Sequence, residues 1–228
     1  MDDLSRDVTG ISALGDELRR RLYLFVASQP SPVGRDQAAR ALGIPAHQAK
    51  FHLDRLEEAG LLESEYVRLS GRSGPGAGRP AKTYRRRPGD LSVSLPDREY
   101  ALAGELMATA IDESLDDGTP VAEALARAAR RRGMEIGMAA TGPGTPLQLA
   151  AKALTRFGYE PRIENNRVVM ANCPFRGLTT THPRLVCTMN TDIVGGVCEA
   201  VGGLTSALEP AEGRCCVVLK ARTVPAAV

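Results

Sequence analysis

Apolar positions recur at helical spacing through the first quarter of the chain. In LGDELRRRLYLFVAS, Leu14, Leu18, Leu22 and Phe25 form one stripe and predict a helix over Leu14–Ser28. A shorter Ala-rich run, Asp36 to Leu42, turns Ala38, Ala39 and Leu42 to one side and stops at Gly43, a residue suited to a helix C-terminus. Pro45 suits the first turn of the next helix, where a missing N–H costs nothing. That helix carries Ala46, Ala49, Leu53, Leu56 and Ala59 as its core stripe and closes at Gly60. Its opposite face is polar and holds His47, Gln48, Lys50, Phe51, Asp54 and Arg55.

The pattern then changes. Leu61–Tyr66 and Lys82–Arg86 read as two strands around RLSGRSGPGAGRP, a Gly, Ser and Pro run that cannot pack a core. Two helices about a Gly turn followed by such a hairpin predict a winged helix-turn-helix over residues 1–88, with a linker at 89–96 in RPGDLSVSLP.

Beyond the linker, Asp97 is a candidate cap for a helix through Ile111 with Tyr100, Leu102, Ala103, Leu106 and Ala110 on its apolar face. Thr119–Gly137 predicts another, with Val121, Ala124, Leu125 and Ala128 inward and Arg127, Arg130, Arg131 and Arg132 outward. Thr145 can cap a third, through Phe157. Glu160–Glu164 and Arg167–Ala171 are strand candidates joined by Asn165 and Asn166, and His182–Val201 is a last helix before a closing strand that holds Cys215 and Cys216. The expected fold is α+β, mainly α, with residues 97–228 forming an α/β dimerisation and sensor domain around a small antiparallel sheet.

The net charge of +2 is nearly neutral, but its distribution changes the picture. Arg68, Arg72, Arg79, Lys82, Arg85, Arg86 and Arg87 fall in one stretch without an acidic residue. A basic wing beside a helix-turn-helix predicts double-stranded DNA as partner, with phosphates met by the wing and base edges by the second helix. The candidate DNA contacts are His47, Gln48, Lys50, Phe51, Arg55, Arg68, Arg79 and Lys82. MDDLSRDVTG is acidic and polar and no stretch approaches a membrane span, so a cytoplasmic protein without a membrane partner is expected. Two-fold DNA half-sites call for a homodimer, with the long helix after the wing as its seam.

The HxxKFHLxxLEEAGLL run followed by GRPAKTY resembles the ArsR and DeoR-like winged-helix transcriptional regulators over roughly the first ninety residues.

All five cysteines, Cys173, Cys187, Cys198, Cys215 and Cys216, lie in the C-terminal quarter. On one helix, Cys187 and Cys198 would sit about three turns apart, ~16 Å along the axis. Neighbouring Cys215 and Cys216 in a strand would face opposite ways. The economical set is Cys173, Cys187 and Cys215, leaving Cys198 and Cys216 as packed thiols. Three thiolates suit an iron-sulfur cluster better than a closed zinc site. Asp192 or His182 could fill the fourth position, whereas Asn190 would be poor.

Here a second resemblance enters. CPF at Cys173, and twenty-seven residues between Cys187 and Cys215, are similar to the repressors of iron-sulfur assembly operons, a branch of the same winged-helix group. The likeness implies a cluster of the 4Fe-4S type on Cys173, Cys187 and Cys215, and repression by the loaded form. It leaves the fourth ligand open, since Asn190 stands where some members offer an acidic group. The readings that follow are a cluster- or metal-sensing repressor, or else a regulator of the same build sensing an organic ligand or thiol oxidation. A thiol enzyme with His182 as base lacks a partner carboxylate at a recognisable spacing, and no enzyme is expected.

Overall fold

The computed structural model describes residues 3–67, 80–89 and 91–222, which fall into two compact units, Met1–Val93 and Ser94–Val228. Among the described residues no helix is long and apolar enough to cross a membrane.

The first unit runs α1 (Asp3–Ala13), α2 (Glu17–Ser28), β1 (Val33–Gly34), α3 (Arg35–Leu42), α4 (Ala46–Glu58), β2 (Leu62–Val67) and β3 (Ala81–Arg86). Asp16, whose carboxylate accepts from the Arg19 N–H at 2.8 Å, caps α2, so the helix starts at Glu17 and not at Leu14. Its buried residues are Leu22 and Val26, while Leu14, Leu18 and Phe25 pack beside them. Gly43 ends α3 in the left-handed region at φ 67°, a turn open to a residue without Cβ. Pro45 sits one position before α4 as its N-cap. The sheet has the order β1-β3-β2, all antiparallel, with Leu62 opposite Arg86 and Val67 opposite Ala81. Leu22, Val33, Ala38, Leu53, Leu56, Leu62 and the ring of Tyr84 close the core beneath it.

The second unit runs α5 (Tyr100–Asp117), α6 (Val121–Met138), α7 (Pro146–Thr155), β4 (Pro161–Glu164), β5 (Arg167–Met170), α8 (Arg176–Thr179), α9 (Pro183–Val201), β6 (Leu204–Leu208) and β7 (Val217–Ala221). Glu99, not Asp97, precedes α5, and the helix continues past Ile111 to Gly118. The backbone at Asp97 is held from elsewhere, by the Asn172 amide donating to its carbonyl at 3.1 Å. Thr145 and Gln148 form a reciprocal capping box on α7. Asn165 and Asn166, both at positive φ, make the tight turn from β4 to β5. The sheet order is β4-β5-β7-β6, antiparallel throughout. Cys215 and Cys216 precede β7 and are not strand residues.

The centre of this unit is the crossing of α6 and α9. Gly133 and Gly137 of α6 and Gly196 of α9 are buried where the backbones meet, and a Cβ on Gly196 would run into the Arg130 carbonyl oxygen. Val121, expected inward, is exposed instead, because the buried stripe of α6 begins at Ala124. The arginines of α6 do point outward and are paired: Arg127 and Arg131 with Glu113 at 3.1 and 3.2 Å, Arg132 with Glu135 at 2.8 Å, and Arg130 with Glu199.

Two alanine substitutions should therefore act in opposite directions in denaturant melts. Gly196→Ala overpacks the crossing and should cost about 1–3 kcal/mol. Gly104→Ala, with open space around its Cβ, should stabilise α5 by roughly 0.5–1 kcal/mol through better helix propensity.

Candidate nucleic-acid interface and thiol cavity

In the first unit α4 turns Ala49, His52, Leu53 and Leu56 into the core. His47, Lys50, Phe51 and Arg55 stay exposed and Gln48 is half-buried. The Phe51 ring, about half exposed at 54 %, lies edge-on to His52 and carries the Arg55 guanidinium 5.6 Å from its centroid. This apolar and cationic pair has the chemistry to meet a thymine methyl or a stacked base.

The lysines are more constrained than their spacing suggests. Lys50 donates to Asp54 at 2.6 Å. The Lys82 ammonium donates to Asp54 at 2.8 Å and to Glu57 at 2.5 Å, and the Tyr84 hydroxyl donates to Asp54 at 2.7 Å. Lys82 is thus a strut from β3 to α4. Burial pushes the Asp54 carboxyl up, but the hydrogen bonds from Lys50, Lys82 and Tyr84 outweigh it and hold the group well below the usual range. Arg68, Arg72 and Arg79 lie outside the described residues.

A groove of about 810 Å³ runs between α3, α4 and the hairpin, lined by Arg35, Gln37, Arg40, Lys50, Tyr66 and Lys82. Arg40 makes no ion pair among the described residues, and Tyr66 is 72 % exposed. Neither was singled out in the sequence. The available signal was positional, since the first helix of a helix-turn-helix crosses the phosphate backbone. His52 was also passed over. It is buried, with Nδ1 4.0 Å from the Asp16 carboxylate and without a hydrogen-bond partner among the described residues.

The second unit gathers thiols from three places. Cys173 follows β5, Cys187 sits near the start of α9, and Cys215 and Cys216 lead into β7. All four line one cavity of about 500 Å³, together with Arg176, Asn190, Glu212 and Arg214. Cys173 and Cys215 are buried, while Cys187 and Cys216 are half-buried. The loop is fixed by backbone contacts: the Cys215 N–H donates to the Met170 carbonyl at 2.9 Å, and Arg98 donates to the Cys173 carbonyl at 3.0 Å.

Buried Asn190 donates to the Cys215 sulfur at 3.3 Å and accepts from the Tyr159 hydroxyl. The neighbouring Cys215 thiol, opposed by burial, draws the Cys173 thiol below its ordinary value. Cys215 is driven up by its neighbour Cys173 and by burial. Burial, then the charge of Cys216, pushes the Cys187 thiol up to about 11.

Cys198 lies elsewhere on α9, buried, and burial pushes it up to about 12. Its part as a packed thiol agrees with its place. Cys216 departs from that expectation: because the backbone is not yet a strand at this point, adjacent cysteines need not face opposite ways, and both reach the cavity. Asp192 lines a different groove with Arg184 and Leu185, and His182 is exposed ahead of α9 and is not among the cavity's residues.

No three His, Cys, Asp or Glu side chains among the described residues are grouped to hold a single metal ion. Four thiols around one cavity, arginines beside them to offset negative charge, and an amide N–H aimed at a sulfur fit a thiolate-bound iron-sulfur cluster.

Residues 14–65, from just before α2 into β2, match the family model described as a helix-turn-helix domain. No curated protein matches the chain. The match suggests a DNA-binding transcriptional regulator and points away from an enzyme.

The depressed Asp54 carboxyl has a pH signature. A folded-state value below the ordinary 3.8 contributes stability that is full above the unfolded value and is lost as pH falls through the carboxylate range. Asp54→Asn should flatten the acid limb of the first unit's stability curve, and Asp54→Ala should cost about 2 kcal/mol by stranding its donors. Thermal melts at stepped pH read both.

Proposed function

We propose that the chain is a transcriptional repressor that binds operator DNA as a homodimer and whose affinity for DNA is set by an iron-sulfur cluster on Cys173, Cys187 and Cys215. The observation that carries the sensor half is the convergence of thiols from three separated elements on one cavity. The helix-turn-helix match carries the DNA half.

On DNA, the exposed N-terminal part of α4 presents His47, Gln48 and Phe51 to base edges, with Arg40 and the basic hairpin, including Arg68 and Arg79, on phosphates. The Asp54, Lys82 and Tyr84 contacts hold the hairpin root against α4, so helix and wing keep one spacing when they meet a duplex. The homodimer supplies the second half-site reader. Ile111 and Leu115 of α5, both exposed, suit the dimer seam expected on that helix.

At the cavity, Cys173, Cys187 and Cys215 would hold the cluster, Asn190 would orient the Cys215 sulfur, and Arg176 and Arg214 would offset the charge. The group, of the 4Fe-4S type by resemblance, supplies a centre whose loss or damage changes what ties α9 to the β5 and β7 ends. Such a centre shifts operator affinity only by favouring one arrangement of the dimer over another. A second reading, a regulator sensing thiol oxidation, draws support from the free Cys173 and Cys215 lining one cavity.

Two measurements test these readings. Anaerobically prepared protein should be brown and contain iron and acid-labile sulfide; iron-free, colourless protein after anaerobic reconstitution sinks the cluster reading and favours the thiol one. In duplex titrations across salt, Arg40→Ala should weaken all sequences alike and reduce the salt slope by about one. Gln48→Ala should instead relax preference at one base position by about 1–3 kcal/mol. Wild-type duplex binding unchanged by both removes the assignment of α3 and α4 to the DNA interface.

A further inference from the structure

We infer that Cys216 supplies the fourth sulfur of the cluster, giving a centre held wholly by thiolates; the inference rests on the cluster reading above. The candidates for the fourth position narrow by placement. His182 is exposed ahead of α9 and Asp192 faces another groove, so neither reaches the cavity. Asn190 does reach it, but its amide already serves Tyr159 and the Cys215 sulfur, and an uncharged amide is a weak partner for iron beside available thiols. Two side chains remain on the cavity with an ionisable donor, Cys216 and Glu212.

Between them the thiol is favoured on chemistry and on position. Iron-sulfur clusters take thiolates as their ordinary ligands. Cys216 is half-buried at the foot of β7, next to a ligand already fixed by its N–H bond to Met170, whereas Glu212 is exposed in the preceding turn. Cys216 lines the same cavity as Cys187 of α9. Four cysteines, Cys173, Cys187, Cys215 and Cys216, then line the one cavity. Such a set needs the two adjacent cysteines to turn the same way, and the irregular backbone before Val217 permits that.

The test compares anaerobically reconstituted wild type, Cys216→Ser, Glu212→Gln and Cys198→Ser. Cys216→Ser should lose iron to a chelator roughly tenfold or more faster than wild type, with Glu212→Gln and Cys198→Ser unchanged. Alkylation of the wild type before and after reconstitution, read residue by residue by mass spectrometry, should show Cys216 becoming protected. This footprint needs no variant, so a poorly folding Cys216→Ser does not blunt the test. A wild type that loads a cluster while Cys216 stays open to alkylation overturns this inference alone, as does loss of iron on Glu212→Gln with Cys216→Ser unaffected. A wild type that takes up no iron and sulfide overturns it together with the cluster reading.

Discussion

The close approach of α6 and α9 fixes the second unit. Gly133, Gly137 and Gly196 let the two backbones touch, and no residue with a Cβ fits at Gly196 without moving the Arg130 carbonyl. Because α9 is pinned along this line, the side of its first turns that bears Cys187 and Asn190 faces the β5 and β7 ends. The thiol cavity is therefore a product of helix packing as much as of the loops that carry the other cysteines.

A comparable constraint operates in the first unit on a smaller scale. One carboxylate, Asp54, accepts from Lys50, Lys82 and Tyr84, and so links α4 to β3 across residues distant in sequence. The tie withdraws two lysines from the pool of free cations. What remains on that face of α4 is mixed in character, with His47, Phe51 and Arg55 exposed and Gln48 half-buried.

Much of this was legible in the residues, and the exceptions have physical reasons. The stripe of α4 and the turn at Gly43 follow from helical periodicity and from the need for a residue tolerant of positive φ. The Asn165 and Asn166 turn was equally plain. By contrast α1 escaped notice because Leu4, Val8 and Ile11 have helical spacing but remain exposed, in a stretch that reads as polar. β1 is two residues long and defined only by its partner β3. The linkage of Lys82 to Asp54 is a contact across 28 positions that no local pattern announces. At the cavity, an assumption of strand geometry two residues too early separated Cys216 from Cys215.

That boundary has a mechanical side. β7 is an interior strand, hydrogen-bonded to β5 on one flank and β6 on the other, and a single peptide link separates Val217 from a cavity-facing sulfur. Whatever pulls on that sulfur pulls on the middle of the sheet, not on a frayed margin. A load placed on a small hollow would in this way reach a whole layer.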